Sequence, residues 1–220
     1  MLYIIIPAYN EAKKIGRVID GLFKQGFQNI IVIDDGSTDN TFEIAKQAGA
    51  VVLKHELNRG QGAGLQTGHE YALKQGAELV VDFDGDGQFN PADINPTLQA
   101  MERSGAQVAM GSRFLDNRSN IPWLKKKLIL PVSRWINLVF TGLKLTDVHN
   151  GFRILSRQAL EKINISQDGM AHNTEIVRQI KKHRLKYIEV PVEVRYSEYG
   201  QGIFGGLRIL KDLLFGFLSD

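Results

Sequence analysis

Cysteine is absent from the 220-residue chain. There can be no disulfide frame, no thiolate zinc site and no cysteine nucleophile, and a reducing compartment suits the protein. Long apolar runs are missing as well. Arg134 interrupts the stretch 128–143, and Arg208, Lys211 and Asp212 interrupt the final one, so no window reaches the roughly 18 to 20 residues of a membrane span. Met1-Leu2-Tyr3-Ile4-Ile5-Ile6-Pro7 has no basic segment ahead of its apolar run, and no export signal is expected. A cytoplasmic location is the expectation. His55, His69, His149, His172 and His183 form no close i, i+4 pair, which removes the usual histidine metal pattern. An RNA-binding motif or a basic stripe interleaved with aromatics is also lacking, so nucleic acid is not an expected partner.

What is present is ordinary globular composition, 43% hydrophobic and 23% charged, enough for one domain with a sizeable core. The net charge of +3 hides a division: residues 1–110 carry 9 basic and 14 acidic side chains, while residues 111–220 carry 18 and 10. A basic second half suits a surface that meets phosphate or anionic lipid.

Short β-branched runs at 2–6, 29–33, 51–53, 78–83 and 107–110 alternate with helical patterns at 12–24, 40–47, 62–74 and 92–103. Strands separated by helices predict an α/β fold with a doubly wound, mostly parallel, Rossmann-like sheet. Beyond Arg113 the spacing predicts a strand at 151–155, a helix at 173–183, a strand run at 187–196 and an amphipathic helix at 204–218. No linker is evident, so 1–220 reads as one domain.

Ligands of such sheets bind beyond the carboxyl ends of the strands, and here those ends are polar or charged. Strand one runs into Pro7-Ala8-Tyr9-Asn10-Glu11, strand two into Asp34-Asp35-Gly36-Ser37-Thr38-Asp39, the fourth into Asp84-Gly85-Asp86-Gly87-Gln88 and the next into Gly111-Ser112-Arg113. Asp82, Asp84 and Asp86 alternate, so in an extended chain they share one face, and clustered carboxylates are costly without a cation. The spacing approaches a calcium-binding EF-hand loop. A strand rather than a helix leads into it, however, Pro91 falls inside it and Asp93 replaces the terminal Glu. A hard divalent cation held by one or two carboxylates plus substrate phosphates fits better; the plainer reading is a turn rich in Asp and Gly. Gly64 and Gly68, four apart on one helix face, are expected to let that helix approach the sheet, and Arg59 is placed to meet an anion.

Together with Asn58-x-Gly60 and Asp147-Val148-His149-Asn150-Gly151-Phe152-Arg153, these motifs stand in one order along nearly the whole chain. In that order the sequence resembles the family 2 glycosyltransferases of GT-A fold, most like the dolichyl- and polyprenyl-phosphate sugar transferases. The resemblance implies inverting transfer of one hexose from a nucleoside diphosphate sugar, UDP- or GDP-linked, to polyprenyl phosphate, with Mg²⁺ or Mn²⁺ as cofactor. Transfer to a saccharide or lipid hydroxyl, or non-catalytic binding of a nucleotide sugar, are the alternatives. Carried over by position, Pro7, Tyr9, Glu11, Asp35 and Asp39 line the nucleotide, Asp84 lies near the ribose and the metal, and Asp86 is a metal ligand. Gln88 sits beside them, and Arg113 is the guanidinium that meets the leaving diphosphate. Residues 1–113 then form the nucleotide-sugar half and 114–220 the acceptor half.

On the acceptor side the resemblance places Asp147 and Arg153, the latter paired with a phosphate or with Asp147. Lys127 and Arg134 are the nearby cations for a lipid phosphate, and Glu175 is either a base or a carboxylate suited to a helix start. A phosphate acceptor is already an anionic nucleophile and needs mainly positioning. Trp123, Lys125, Lys126, Lys127 and Trp135 suit a segment at a lipid interface, giving a peripheral membrane protein. The apolar face of 203–218 serves either lipid contact or a homodimer.

Overall fold

The computed structural model describes residues 1–116, 118–119, 138 and 142–195. Its elements follow in the order β1 (Leu2–Ala8), α1 (Ile15–Lys24), β2 (Ile30–Asp34), α2 (Thr41–Gln47), β3 (Val51–Lys54), α3 (Gln61–Lys74) and β4 (Leu79–Asp82). After these come α4 (Ile94–Ser104), β5 (Val108–Ser112), β6 (Arg153–Ser156), α5 (Arg157–Leu160), α6 (His172–Lys182) and β7 (Tyr187–Pro191). The strands form a seven-stranded sheet in the order β3-β2-β1-β4-β6-β5-β7. Every pairing is parallel except those of β6, which runs antiparallel to both β4 and β5.

Alternation along the strands explains the layers. Ile4, Ile6 and Ala8 of β1 join a core with Ile15, Ile19 and Leu22 of α1, Ala45 of α2 and Met101 of α4. Ile5 faces the other way, into a core with Leu65 and Ala72 of α3, Leu160 of α5 and Ile176 and Ile180 of α6. Each large aliphatic side chain so buried contributes about 1.5–3 kcal/mol. The close approach expected of α3 is present: Gly64 packs on Pro7, and a Cβ on Gly68 would collide with Ile5 Cγ2.

Several boundaries move for local reasons. Helix α1 begins at Ile15 rather than residue 12, because Ala12 N–H donates to Asp39 and Lys14 N–H to Glu11 O in a preceding turn. Ahead of α4 lies a separate 3₁₀ turn, Pro91–Asp93, capped by Asn90, and α4 ends on Gly105 with φ 64°. Strand β7 stops at Pro191, beyond which Val194 forms an isolated bridge to Phe89. The short helix α5, begun by the Ser156 cap, carries no periodic pattern and is absent from the sequence expectation. The anticipated helix at 204–218 lies outside the described residues.

Candidate functional site

The carboxyl ends of β1, β2, β4 and β5 share one edge of the sheet. Because β6 is reversed, its amino end reaches that same edge and brings the segment Asp147–Arg153 with it.

The loops after β1 and β2 are stitched to each other. Asn10, at φ 55°, accepts Thr38 N–H at 2.9 Å, and Asn10 N–H donates to Ser37 Oγ at 3.0 Å. Asp39 accepts Ala12 N–H at 3.2 Å and Thr41 N–H at 3.0 Å. The Thr41 hydroxyl does most to hold the Asp39 carboxyl below its usual range. Glu11 pairs with Lys14 at 3.2 Å, and the Tyr9 ring stands 46% exposed above these loops.

Asp35 does not face outward. It is buried, and both its oxygens are taken: Arg59 N–H donates at 3.0 Å, Gly60 N–H at 2.6 Å and His55 Nδ1 at 2.7 Å. His55 is held in turn through Nε2 by the Thr67 hydroxyl at 2.9 Å. The carboxylate expected to line a nucleotide base is the one that fastens the loop ahead of α3. Arg59, expected to meet an anion, lies 3.6 Å from Asp168.

The three alternating aspartates separate. Strand β4 ends at Asp82, which turns inward, 1% exposed, to the Nε2 of His69 at 2.6 Å. Asp84 accepts Gln61 Nε2 at 2.7 Å and lies against the Cα of Gly151. Asp86 accepts Gln88 N–H at 2.9 Å, while Gln88 O accepts Arg195 N–H at 2.9 Å. An edge of Asp84 reaches solvent, yet burial of its carboxyl, followed by repulsion from Asp86, pushes it up to about 7. That destabilised charge is what a cation would relieve. Among the described residues no three acidic or histidine side chains converge as a metal cage. Asp84 and Asp86 supply two hard oxygen donors, the arrangement in which phosphates and water complete the ion's shell. On donor chemistry a divalent cation fits.

Opposite them, Arg113 is clamped by Asp147. Its Nε and Nη2 each donate at 2.7 Å to a different carboxylate oxygen, and its backbone N–H adds a third bond at 3.1 Å. Such a fork fixes orientation as well as charge. Arg153 stands apart from that clamp. Fully buried, it stands in register with Asp82 across β4 and β6 and donates to Asn173 Oδ1. Burial lowers its pKa, and Asp82 and Asp84 counter that effect. Arg153, expected on the acceptor side, thus lies inside the protein beside Asp82. Glu175 in the first turn of α6 spends its oxygens on Ser166 N–H at 3.0 Å and Gln167 N–H at 3.0 Å, besides the Ser166 hydroxyl. Those contacts hold the loop 166–167 against the start of α6. Lys127 and Arg134 lie outside the described residues.

A family model described as glycosyl transferase family 2 matches residues 3–164. The chain belongs to glycosyl transferase family 2. Across 97% of its length it is 33% identical to the UDP-N-acetylglucosamine–dolichyl-phosphate N-acetylglucosaminyltransferase of Methanococcus voltae, of which it covers 95%. With the polyprenol monophosphomannose synthase of Mycolicibacterium smegmatis it shares 26% identity, over 94% of this chain and 82% of the other. The glucosyl-3-phosphoglycerate synthase of Mycobacterium tuberculosis, crystallised with Mn²⁺, UDP and glucosyl-3-phosphoglycerate, superposes with a TM-score of 0.72. It covers all of this chain and 79% of that one at 19% identity, a likeness of GT-A fold. This family 2 glycosyltransferase is thus an enzyme related to polyprenyl-phosphate sugar transferases.

Four polar residues of the glycosyltransferase escaped the sequence reading: His55, Gln61, His69 and Asn173. His55 and His69 form no i, i+4 pair in sequence, yet each pairs with a carboxylate far away in the chain. Gln61 lies inside the glycine-rich run Asn58-Arg59-Gly60-Gln61-Gly62, which carries no local sign of its bond to Asp84.

Proposed function

We propose that this glycosyltransferase moves a hexose from a UDP- or GDP-sugar to a polyprenyl-type lipid phosphate, with inversion, using Mg²⁺ or Mn²⁺ at Asp84 and Asp86. The observation that carries the reading is the Asp84–Asp86 pair at the open carboxyl edge of the sheet, with Asp84 pushed up to about 7. The relatives' names support the acceptor class, and the first of them supports UDP. A bound divalent ion supplies charge stabilisation to the diphosphate as it leaves.

The chain's own residues do the remainder. Pro7, Glu11 and the exposed Tyr9 ring form the nucleotide wall, braced by Asp39. Arg113, oriented by Asp147, directs a fixed positive charge at the diphosphate. Gln88 borders the sugar. An anionic phosphate needs positioning rather than deprotonation, which accords with Glu175 being committed to its loop. Lys127 and Arg134 are the cations proposed for the acceptor phosphate, and the enzyme works at the membrane surface as a peripheral protein.

The test is a thermal-shift panel of UDP- and GDP-sugars with and without Mn²⁺ or Mg²⁺. A ligand at a hundred times its Kd stabilises by about 2.7 kcal/mol, so cation-dependent stabilisation by one nucleotide class is the expected result. Asp86→Ala should abolish both that response and turnover. Stabilisation that ignores the cation in both proteins would refute the metal assignment.

A further inference from the structure

Asp35 lies on the nucleotide side of the site and Asp84 on the cation side, and one short turn joins them. Asp35 grips the backbone of that turn at Arg59 and Gly60, with His55 behind it. Gly60 has φ 107°, a conformation that costs glycine little and other residues much. The next residue, Gln61, opens α3 and donates Nε2–H to Asp84 Oδ1 at 2.7 Å. From outside, the turn is walled by a second loop. Gly62 N–H donates to Asp168 O at 2.8 Å, and a Cβ on Gly60 or Gly62 would strike the carbonyls of Asp168 and Gln167. With the backbone held on both sides, the Gln61 amide is aimed by the turn itself.

Asp84 is confined from the other direction too. Gly151 falls opposite it when the Asp82–Arg153 register is continued, and a Cβ there would lie 2.6 Å from Asp84 Oδ2. The carboxylate therefore sits between an anchored amide and a glycine where any side chain would press on its oxygens.

We propose that Gln61 is a positioning residue of the transferase: anchored by the Asp35-clamped turn, its amide sets the Asp84 carboxylate in the orientation that receives the divalent cation. The proposal deepens the function above and rests on Asp84 and Asp86 as the carboxylates that hold that cation. It gives Asp35 a task other than touching the base. The nucleotide-side loop and the cation-side carboxylate form one mechanical unit, and a disturbance at Asp35 is felt at Asp84.

The experiment measures Mn²⁺ binding to the full chain in the presence of UDP, from the paramagnetic resonance signal of free Mn²⁺, together with melting temperature. Gln61→Leu keeps the bulk and removes the donor at a partly exposed helix start. It is expected to weaken Mn²⁺ binding roughly ten- to hundredfold, as loss of a ligand's hydrogen-bond partner does, with the melting temperature unchanged. Gly151→Ala, pressing on Asp84 from the opposite side, should do the same. Gln61→Leu binding Mn²⁺ as tightly as the parent overturns the positioning role. A binding loss matched by a fall in melting temperature assigns Gln61 to the fold and overturns it equally. A parent protein that takes up no Mn²⁺ in the presence of UDP defeats the cation reading itself, and the proposal with it.

Discussion

Asp84 and His172 oppose each other in their dependence on pH. Burial, then Asp86, raises Asp84 from 3.8 to about 7. Between those values the folded protein holds a proton that the unfolded chain has released, so this group's contribution to stability falls as pH rises. Burial, then Arg153, lowers His172 from 6.5 to about 4. Its imidazole donates Nδ1–H to Gly169 O at 2.8 Å and stays neutral, and its contribution is lost as pH falls from 6.5 towards 4. In the cation-free protein the two slopes offset over that shared window. Asp84→Asn should therefore expose the His172 slope. The variant is expected to lose stability on acidification from pH 6.5 to 4 more steeply than the parent, by at most about 1.4 kcal/mol per pH unit, less solvent screening at Asp84. Urea midpoints across that range measure it, and parallel curves would mean that Asp84 titrates as an ordinary aspartate.

Helix α3 joins the whole carboxyl edge. Its first residue holds Asp84, Thr67 holds His55, and His69 holds Asp82. All three contacts require the helix to lie close on β1, which Gly64 and Gly68 permit. Alanine normally favours a helix by about 0.8–1 kcal/mol over glycine. At Gly68 the sign should reverse, because the added methyl meets Ile5 with nothing able to yield but the core. Gly68→Ala is expected to cost about 1–3 kcal/mol and to weaken nucleotide-dependent Mn²⁺ binding, read by chemical denaturation and by resonance titration. A more stable protein would show that α3 has room to lift. Strand β6 matters at the same scale, since its reversed direction delivers Asp147 to Arg113 and Arg153 to Asp82.

For the molecule as a whole, charge is the organising quantity. The first half carries the acidic edge proposed to meet a cation, and the second carries the excess of Lys and Arg, including Lys125, Lys126 and Lys127 beside Trp123. No helix among the described residues is long and apolar enough to cross a membrane. On the charge of the second half, attachment is proposed to be electrostatic and interfacial. Each lysine near an anionic surface contributes about 1 kcal/mol. Replacing all three by Gln should weaken co-sedimentation with vesicles containing anionic lipid roughly a hundredfold at low salt, and the parent's binding should fall as salt rises. Equal retention of both proteins would place the membrane contact elsewhere.

The order of most strands and helices, the parallel pairing among the first four strands and the family were legible in the residues, because apolar period and turn chemistry are local properties. So was the acidic edge, since strand ends can be located from pattern alone. The sequence could not say that β6 is antiparallel, for a strand of four residues reads alike in either direction. Nor could it say which carboxylate meets which cation. The sequence offers Asp147 to Arg153 or leaves Arg153 for a phosphate; folding puts Asp147 on Arg113 and buries Arg153 beside Asp82. Asp35 and Asp84 are both strand-end aspartates in sequence, and one is spent on backbone amides while the other is left half-satisfied at the open edge. Partner choice depends on distance and desolvation between residues far apart in the chain, and only the packed tertiary structure decides those.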